Sequence, residues 1–98
     1  DTIDKVFSEV AFPRWAFEHA AITETSLMMY LAPELVREDK ITDEMGVEPA
    51  TYAKYPIVEG MVPASGVLAP AVSSSAEKGK LMTNEAISAF IEIVDRNF

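Results

Sequence analysis

Residues 14–36 read RWAFEHAAITETSLMMYLAPELV, and they hold the only tryptophan and the only histidine of the chain, Trp15 and His19. Histidine is the side chain whose ordinary pKa lies closest to neutrality, so a lone imidazole is a candidate proton carrier. If residues 15–19 are helical, Trp15 and His19 share a face. If they are extended, both odd positions still point the same way. Either backbone puts indole and imidazole on one wall of a pocket. The plain alternatives are a core tryptophan and a surface histidine without a task. Glu18 and Glu24 both stand near enough in sequence to orient the imidazole, as carboxylates commonly do.

Outward from this stretch, Leu27, Tyr30 and Leu31 stand at helical spacing in a helix beginning at about Thr23 and stopped by Pro33. A short turn, Pro33-Glu34-Leu35-Val36, follows. Towards the N-terminus, residues 1–9 can form a short helix with Ile3, Val6 and Phe7 on one side. Pro13 interrupts, and it biases Phe12 to an extended backbone. Residues 1–37 thus form the segment that carries Trp15, His19 and Glu24-Thr25-Ser26.

Residues 38–73 form a second region, punctuated by Pro49, Pro56, Pro63 and Pro70 and by Gly46, Gly60 and Gly66. Extended segments and loops are expected there, with one short strand around Tyr55–Val58. Loops this long in a small domain usually serve function or pack on something else. Residues 74–98 form the clearest element. Ser74 precedes Glu77 by three, the spacing of a capping box. The helix then runs to about Asn97, with Leu81, Met82, Ala86, Ile87, Ala89, Phe90, Ile93 and Val94 on a broad apolar face. That breadth predicts burial on more than one side. Gly79 costs such a helix about 1 kcal/mol relative to alanine, which predicts a close approach to its backbone.

Composition removes several classes. The chain has 98 residues, 49% of them hydrophobic and 24% charged, and its net charge is −8. A chain of this balance folds, and its acidity argues against nucleic acid or an anionic membrane surface as partners. No cysteine is present, which excludes disulfide staples, thiolate metal sites and cysteine nucleophiles. No apolar run reaches the roughly 18 residues that span a bilayer, and Asp1-Thr2-Ile3-Asp4-Lys5 has no signal-peptide character. A cytoplasmic location is expected. One histidine without HxxxH or HxH spacing makes a complete zinc site in this chain improbable. The serines lack a nucleophile-elbow context. Met28-Met29 reads as core filler, and Arg37-Glu38-Asp39 and Asp43-Glu44 read as solvated faces.

Taken in order, these residues resemble the C-terminal part of the creatininase (creatinine amidohydrolase) family. The resemblance is carried by Trp15-x-x-x-His19, the small pair Ala20-Ala21, Glu24-Thr25-Ser26, an apolar helix and Ala32-Pro33-Glu34-Leu35-Val36. It continues through Val62-Pro63-Ala64-Ser65-Gly66-Val67-Leu68 and Ser75-Ala76-Glu77-Lys78-Gly79-Lys80-Leu81. It covers nearly the whole chain.

The resemblance implies an α/β fold: a three-layer α/β/α sandwich with a mostly parallel sheet, often assembled as a hexamer. It implies a metal-dependent hydrolase of cyclic amides or related C–N bonds. In the family, the residues at the places of Trp15 and His19 contact substrate, and the histidine carries a proton to the nitrogen being released. Glu24 is then expected to orient His19 or the neighbouring backbone. The divalent metal, zinc and/or manganese with iron as a further option, is held by an N-terminal part that these 98 residues lack. The chain is therefore expected to be a small subunit or cleaved C-terminal fragment, completed by a chain bearing that N-terminal part.

Two positions depart from the family pattern. Ala21 stands where the family has glycine, and Ala16 where it has an aspartate that holds creatinine. A cyclic amide other than creatinine is expected to suit the site at least as well. A non-catalytic scaffold with the family's shape is the alternative reading.

Overall fold

The first helix, α1, spans Ile22–Leu31. Its N-cap is Ala21, which has no side-chain oxygen to offer the free N–H groups of the first turn. Glu24 lies in that turn, where a carboxylate meets the positive end of the helix dipole. The helix stops at Ala32, whose N–H returns to the Met28 carbonyl at 2.9 Å. Pro33 cannot continue an α-helix and instead opens a 3-10 turn, Pro33–Leu35. A second 3-10 turn follows at Glu38–Lys40. The computed structural model describes residues 18–44, 55–56, 59–60 and 63–98. The helix expected over 1–9, and Trp15 with it, lie outside the described residues.

The second helix, α2, spans Ala76–Asn97. Its cap lies one residue later than the capping-box spacing suggests. Ser75, not Ser74, is the N-cap, and its hydroxyl accepts the Lys78 N–H at 3.2 Å. Ser74 is diverted: its hydroxyl donates to the Ile22 carbonyl at 3.4 Å. Three consecutive serines offer three candidate caps, and the contact with α1 selects between them. At the far end Glu92 and Arg96 pair four residues apart, a spacing that supports an exposed helix surface modestly.

The two helices meet at their small residues. A Cβ on Gly79 would stand 2.0 Å from the Ser26 carbonyl oxygen and 2.9 Å from the Tyr30 Cβ. The close approach expected at Gly79 is therefore present, and it is backbone against backbone. Ser26 is fully buried, and its hydroxyl accepts the Ser75 N–H at 3.2 Å. The buried residues of α1 are Ile22, Thr23 and Ser26, rather than the apolar set Leu27, Tyr30 and Leu31. Leu27 is half-buried, while Tyr30 and Leu31 are exposed. A helix approached this closely can present only small side chains at the contact, which turns its larger apolar residues outward. Met28 is likewise exposed, so it does not fill a core.

The expected burial of α2 on more than one side also fails within the described chain. Ile87, Phe90, Ile91, Val94 and Phe98 form a stripe of exposed apolar side chains, with Phe90 69% exposed. The reason is length: a ten-residue helix is about 15 Å long and a 22-residue helix about 33 Å. Helix α1 covers only the first turns of α2.

The loop over residues 63–71 closes the third side. Gly66, at φ +79°, ends the Pro63–Gly66 turn by donating its N–H to the Pro63 carbonyl at 2.9 Å; this backbone region favours glycine. Ala69 and Ala71 are buried, and the Ala71 N–H reaches the Thr42 carbonyl at 3.3 Å. Among the described residues there is no β-strand. Tyr55 and Pro56 lie in a bend rather than in the expected strand, and 57–58 lie outside the described residues. Among the described residues no helix is long and apolar enough to cross a membrane.

Candidate active site

His19 sits on the bend that leads into α1, with its imidazole exposed and without a hydrogen-bond partner among the described residues. Behind it the chain takes an unusual turn. Ala20 adopts φ +52°, a left-handed conformation that costs a residue with a Cβ about 1–2 kcal/mol. Ala21 follows at φ −100° and is fully buried. The glycine expected by the family pattern is thus replaced at a position whose backbone tolerates alanine, and the Ala21 Cβ is packed inside. The strained residue is its neighbour, Ala20.

Two carboxylates hold this turn. The Glu18 Oε1 accepts the Thr23 backbone N–H at 2.6 Å and also the Thr23 hydroxyl. Thr23 is the second residue of α1, so its N–H is one of the four that the helix itself leaves free. In the other direction, Glu24 reaches back from the third helical position to accept the Ala20 N–H. Together they make a capping box distributed over two residues, replacing the cap that Ala21 cannot supply. A third tether comes from the 63–71 loop, where the Leu68 N–H donates to the His19 carbonyl at 3.2 Å.

Among the described residues neither carboxylate is hydrogen-bonded to the imidazole. Glu24 lies on the neighbouring backbone, and Glu18 lies on the end of α1. For Glu24 the neighbouring backbone was one of the two expectations, whereas the spacing of Glu18 relative to the helix start went unread. The signal was available: a helix beginning after two alanines needs its cap from elsewhere. Thr25 and Ser26 complete the motif structurally. The Thr25 hydroxyl donates to the Ala20 carbonyl at 3.5 Å, and Ser26 joins α1 to α2 as described. Trp15 and Ala16 lie outside the described residues, so the distance between indole and imidazole is not part of this geometry.

Beside the turn, Ala20 and Glu24 open onto a cleft of about 650 Å³ between α1, the two 3-10 turns and the 63–71 loop. Met28, Ile41 and Val67 give it apolar walls, and Arg37 and Lys40 line it as well. Arg37, Glu38, Asp39, Asp43 and Glu44 are exposed, as expected of solvated faces. Among the described residues no group of three or more histidine, cysteine, aspartate or glutamate side chains could hold a metal ion. The donor set of a metal-dependent hydrolase does not fit the residues described here.

The sequence pattern of the family described as Creatininase: Creatinine amidohydrolase matches residues 4–94. The chain belongs to the creatininase family. It is similar to a creatinine amidohydrolase of Pseudomonas putida, with 33% identity over 99 residues that cover 98% of this chain and 36% of that enzyme. Among solved structures, a manganese creatininase superposes with a TM-score of 0.89 at 31% identity, covering 99% of this chain and 37% of its own. A mutant creatininase complexed with creatine gives 0.87 at 31% identity, covering 99% and 38%. A mutant of the zinc–zinc type also gives 0.87 at 31%, covering 99% and 37%. These enzymes have an α/β fold, and the chain superposes on part of it over nearly its whole length. It spans little more than a third of the length of the relatives it matches.

Proposed function

We propose that this chain supplies the substrate-binding and proton-transfer wall of a metal-dependent amidohydrolase that opens a cyclic amide or a related C–N bond. It does so together with the part of a creatininase-type domain that the 98 residues do not span. The whole is a three-layer α/β/α sandwich with a mostly parallel sheet, in a cytoplasmic oligomer of the family type. The divalent metal, zinc or manganese as in the relatives, belongs to that remaining part. The exposed apolar stripe of α2 supports a large partner surface of this kind, since such patches mark interaction sites.

The observation that carries the reading is a lone imidazole, exposed and without a partner among the described residues, on a clamped turn in a chain of this family. Hydrolysis of an amide must release an amine nitrogen, which leaves poorly unless it is protonated as the C–N bond breaks. His19 carries that proton: among the described residues its ring nitrogens make no other bond, and the turn around it is tied by Glu18 to Thr23, by Glu24 to Ala20 and by Leu68 to the His19 carbonyl. Trp15, four residues earlier, contacts the substrate through its indole. Glu24 acts by holding the Ala20 backbone, which sets where the His19 side chain departs from the main chain.

The test is His19→Ala in the assembled enzyme, with a panel of cyclic amides that includes creatinine. The expected result is a fall in kcat of about a hundredfold or more, with metal content and assembly unchanged. Undiminished turnover would remove His19 from the chemistry. Trp15→Phe should raise KM, and an unchanged KM would argue against the indole as a binding wall.

A further inference from the structure

We infer that Glu18 is a positioning residue for His19, acting through the end of α1 rather than through the imidazole; the inference rests on the proton-transfer role proposed above. Three observations lead to it. Glu18 precedes His19 directly, so its χ angles and those of His19 spring from consecutive Cα atoms of one tight turn. Its Oε1 is committed twice to Thr23, to the backbone N–H at 2.6 Å and to the hydroxyl. That closes a ring of chain from residue 18 to residue 23, with His19 and the left-handed Ala20 inside it.

The second oxygen behaves differently. Glu18 Oε2 is buried and has no hydrogen-bond partner among the described residues. The carboxylate therefore works as a one-oxygen clamp. Its charge at the N-terminus of α1 is favourable there, but the geometric task needs only one acceptor of the right reach. Glutamine offers the same span and one carbonyl oxygen, whereas alanine offers neither. Aspartate is one methylene shorter and cannot close the same ring. Without the clamp the Thr23 N–H returns to water and Ala20 can relax from φ +52° towards the right-handed region. His19 would then sample several orientations.

Such a loss changes the rate more than the binding. A proton donor misplaced by about 1 Å can cost up to a hundredfold in rate, while the substrate still meets the rest of the pocket. In the assembled enzyme, Glu18→Ala should lower kcat about tenfold or more with KM within about twofold. Glu18→Gln should recover most of that loss, and Glu18→Asp should not. The pattern is the readout, because a merely structural residue would lower the amount of folded enzyme and leave kcat per folded molecule alone.

A second readout does not depend on turnover. His19 is the only histidine of the 98 residues, so isotope labelling of this chain within the assembly gives one set of imidazole signals. Glu18→Ala should broaden or multiply them, and Glu18→Gln should restore one narrow set. If Glu18→Ala leaves both kcat and the imidazole signals unchanged while His19→Ala abolishes activity, the positioning role is wrong and the proton-transfer role stands. If His19→Ala has no effect on turnover, the functional reading fails, and the imidazole signals alone decide whether Glu18 positions the side chain. Full activity in Glu18→Asp would overturn the reach argument.

Discussion

Gly79→Ala puts a methyl group where the structure has no room for one. The new Cβ would stand 2.0 Å from the Ser26 carbonyl oxygen and 2.7 Å from its carbon, against ordinary contact beginning near 3.4 Å. The obstacle is backbone, so no rotamer change relieves it, and α1 and α2 must part by over an ångström at this point. Overpacking of this kind costs about 1–3 kcal/mol. Separation also weakens the Ser75 N–H to Ser26 Oγ bond and the Ser74 Oγ–H to Ile22 carbonyl bond, each worth about 0.5–1.5 kcal/mol. Against these stands about 1 kcal/mol gained by replacing glycine with alanine inside a helix. The balance is a loss of about 3 kcal/mol. For a domain of about 100 residues that lowers Tm by about 12–24 °C.

The assay is thermal unfolding followed by circular dichroism. Ser88→Ala on an exposed turn of the same helix serves as control, expected to change Tm little and upwards. A Gly79→Ala protein as stable as the wild type would refute the backbone contact between the helices.

Two further outcomes follow from the same geometry. Ser26→Ala, at a fully buried residue, leaves the part-buried Ser75 N–H without its acceptor; unfolding free energy should drop by about 1–3 kcal/mol, checked by urea denaturation. Phe90→Asp on the exposed stripe of α2 should leave the helicity of the 98-residue chain intact. It should reduce association with the rest of a creatininase-type domain at least tenfold, read by native mass spectrometry, because it places a charge in an apolar contact.

The sequence made some of this legible for definite physical reasons. Pro33 ended α1, the serine run opened α2, and Gly79 announced a close approach, because each of these residue types has a narrow backbone use. Family motifs were legible because they are ordered along nearly the whole chain. What the pattern of apolar residues could not show was the small-residue contact between the helices. Apolar periodicity finds stripes of large side chains, whereas Ser26 is buried where the α1 backbone meets Gly79. The same pattern found the stripe of α2 but could not say that the described residues leave it exposed. The role of Glu18 was hidden for a third reason. A cap is defined relative to the helix start, and the start at Ile22 is marked by two alanines that carry no capping signal. Trp15 stays a matter of sequence alone, as it lies outside the described residues.

The most direct measurement concerns the departing nitrogen. A series of cyclic amides whose released nitrogens range from basic to acidic would be turned over by wild-type enzyme and by His19→Ala. If His19 carries the proton, the defect should be greatest, about a hundredfold or more, for the most basic nitrogen. It should shrink steadily as the nitrogen becomes able to leave unprotonated. A defect of the same size across the whole series would mean that His19 binds or shapes the site without transferring the proton.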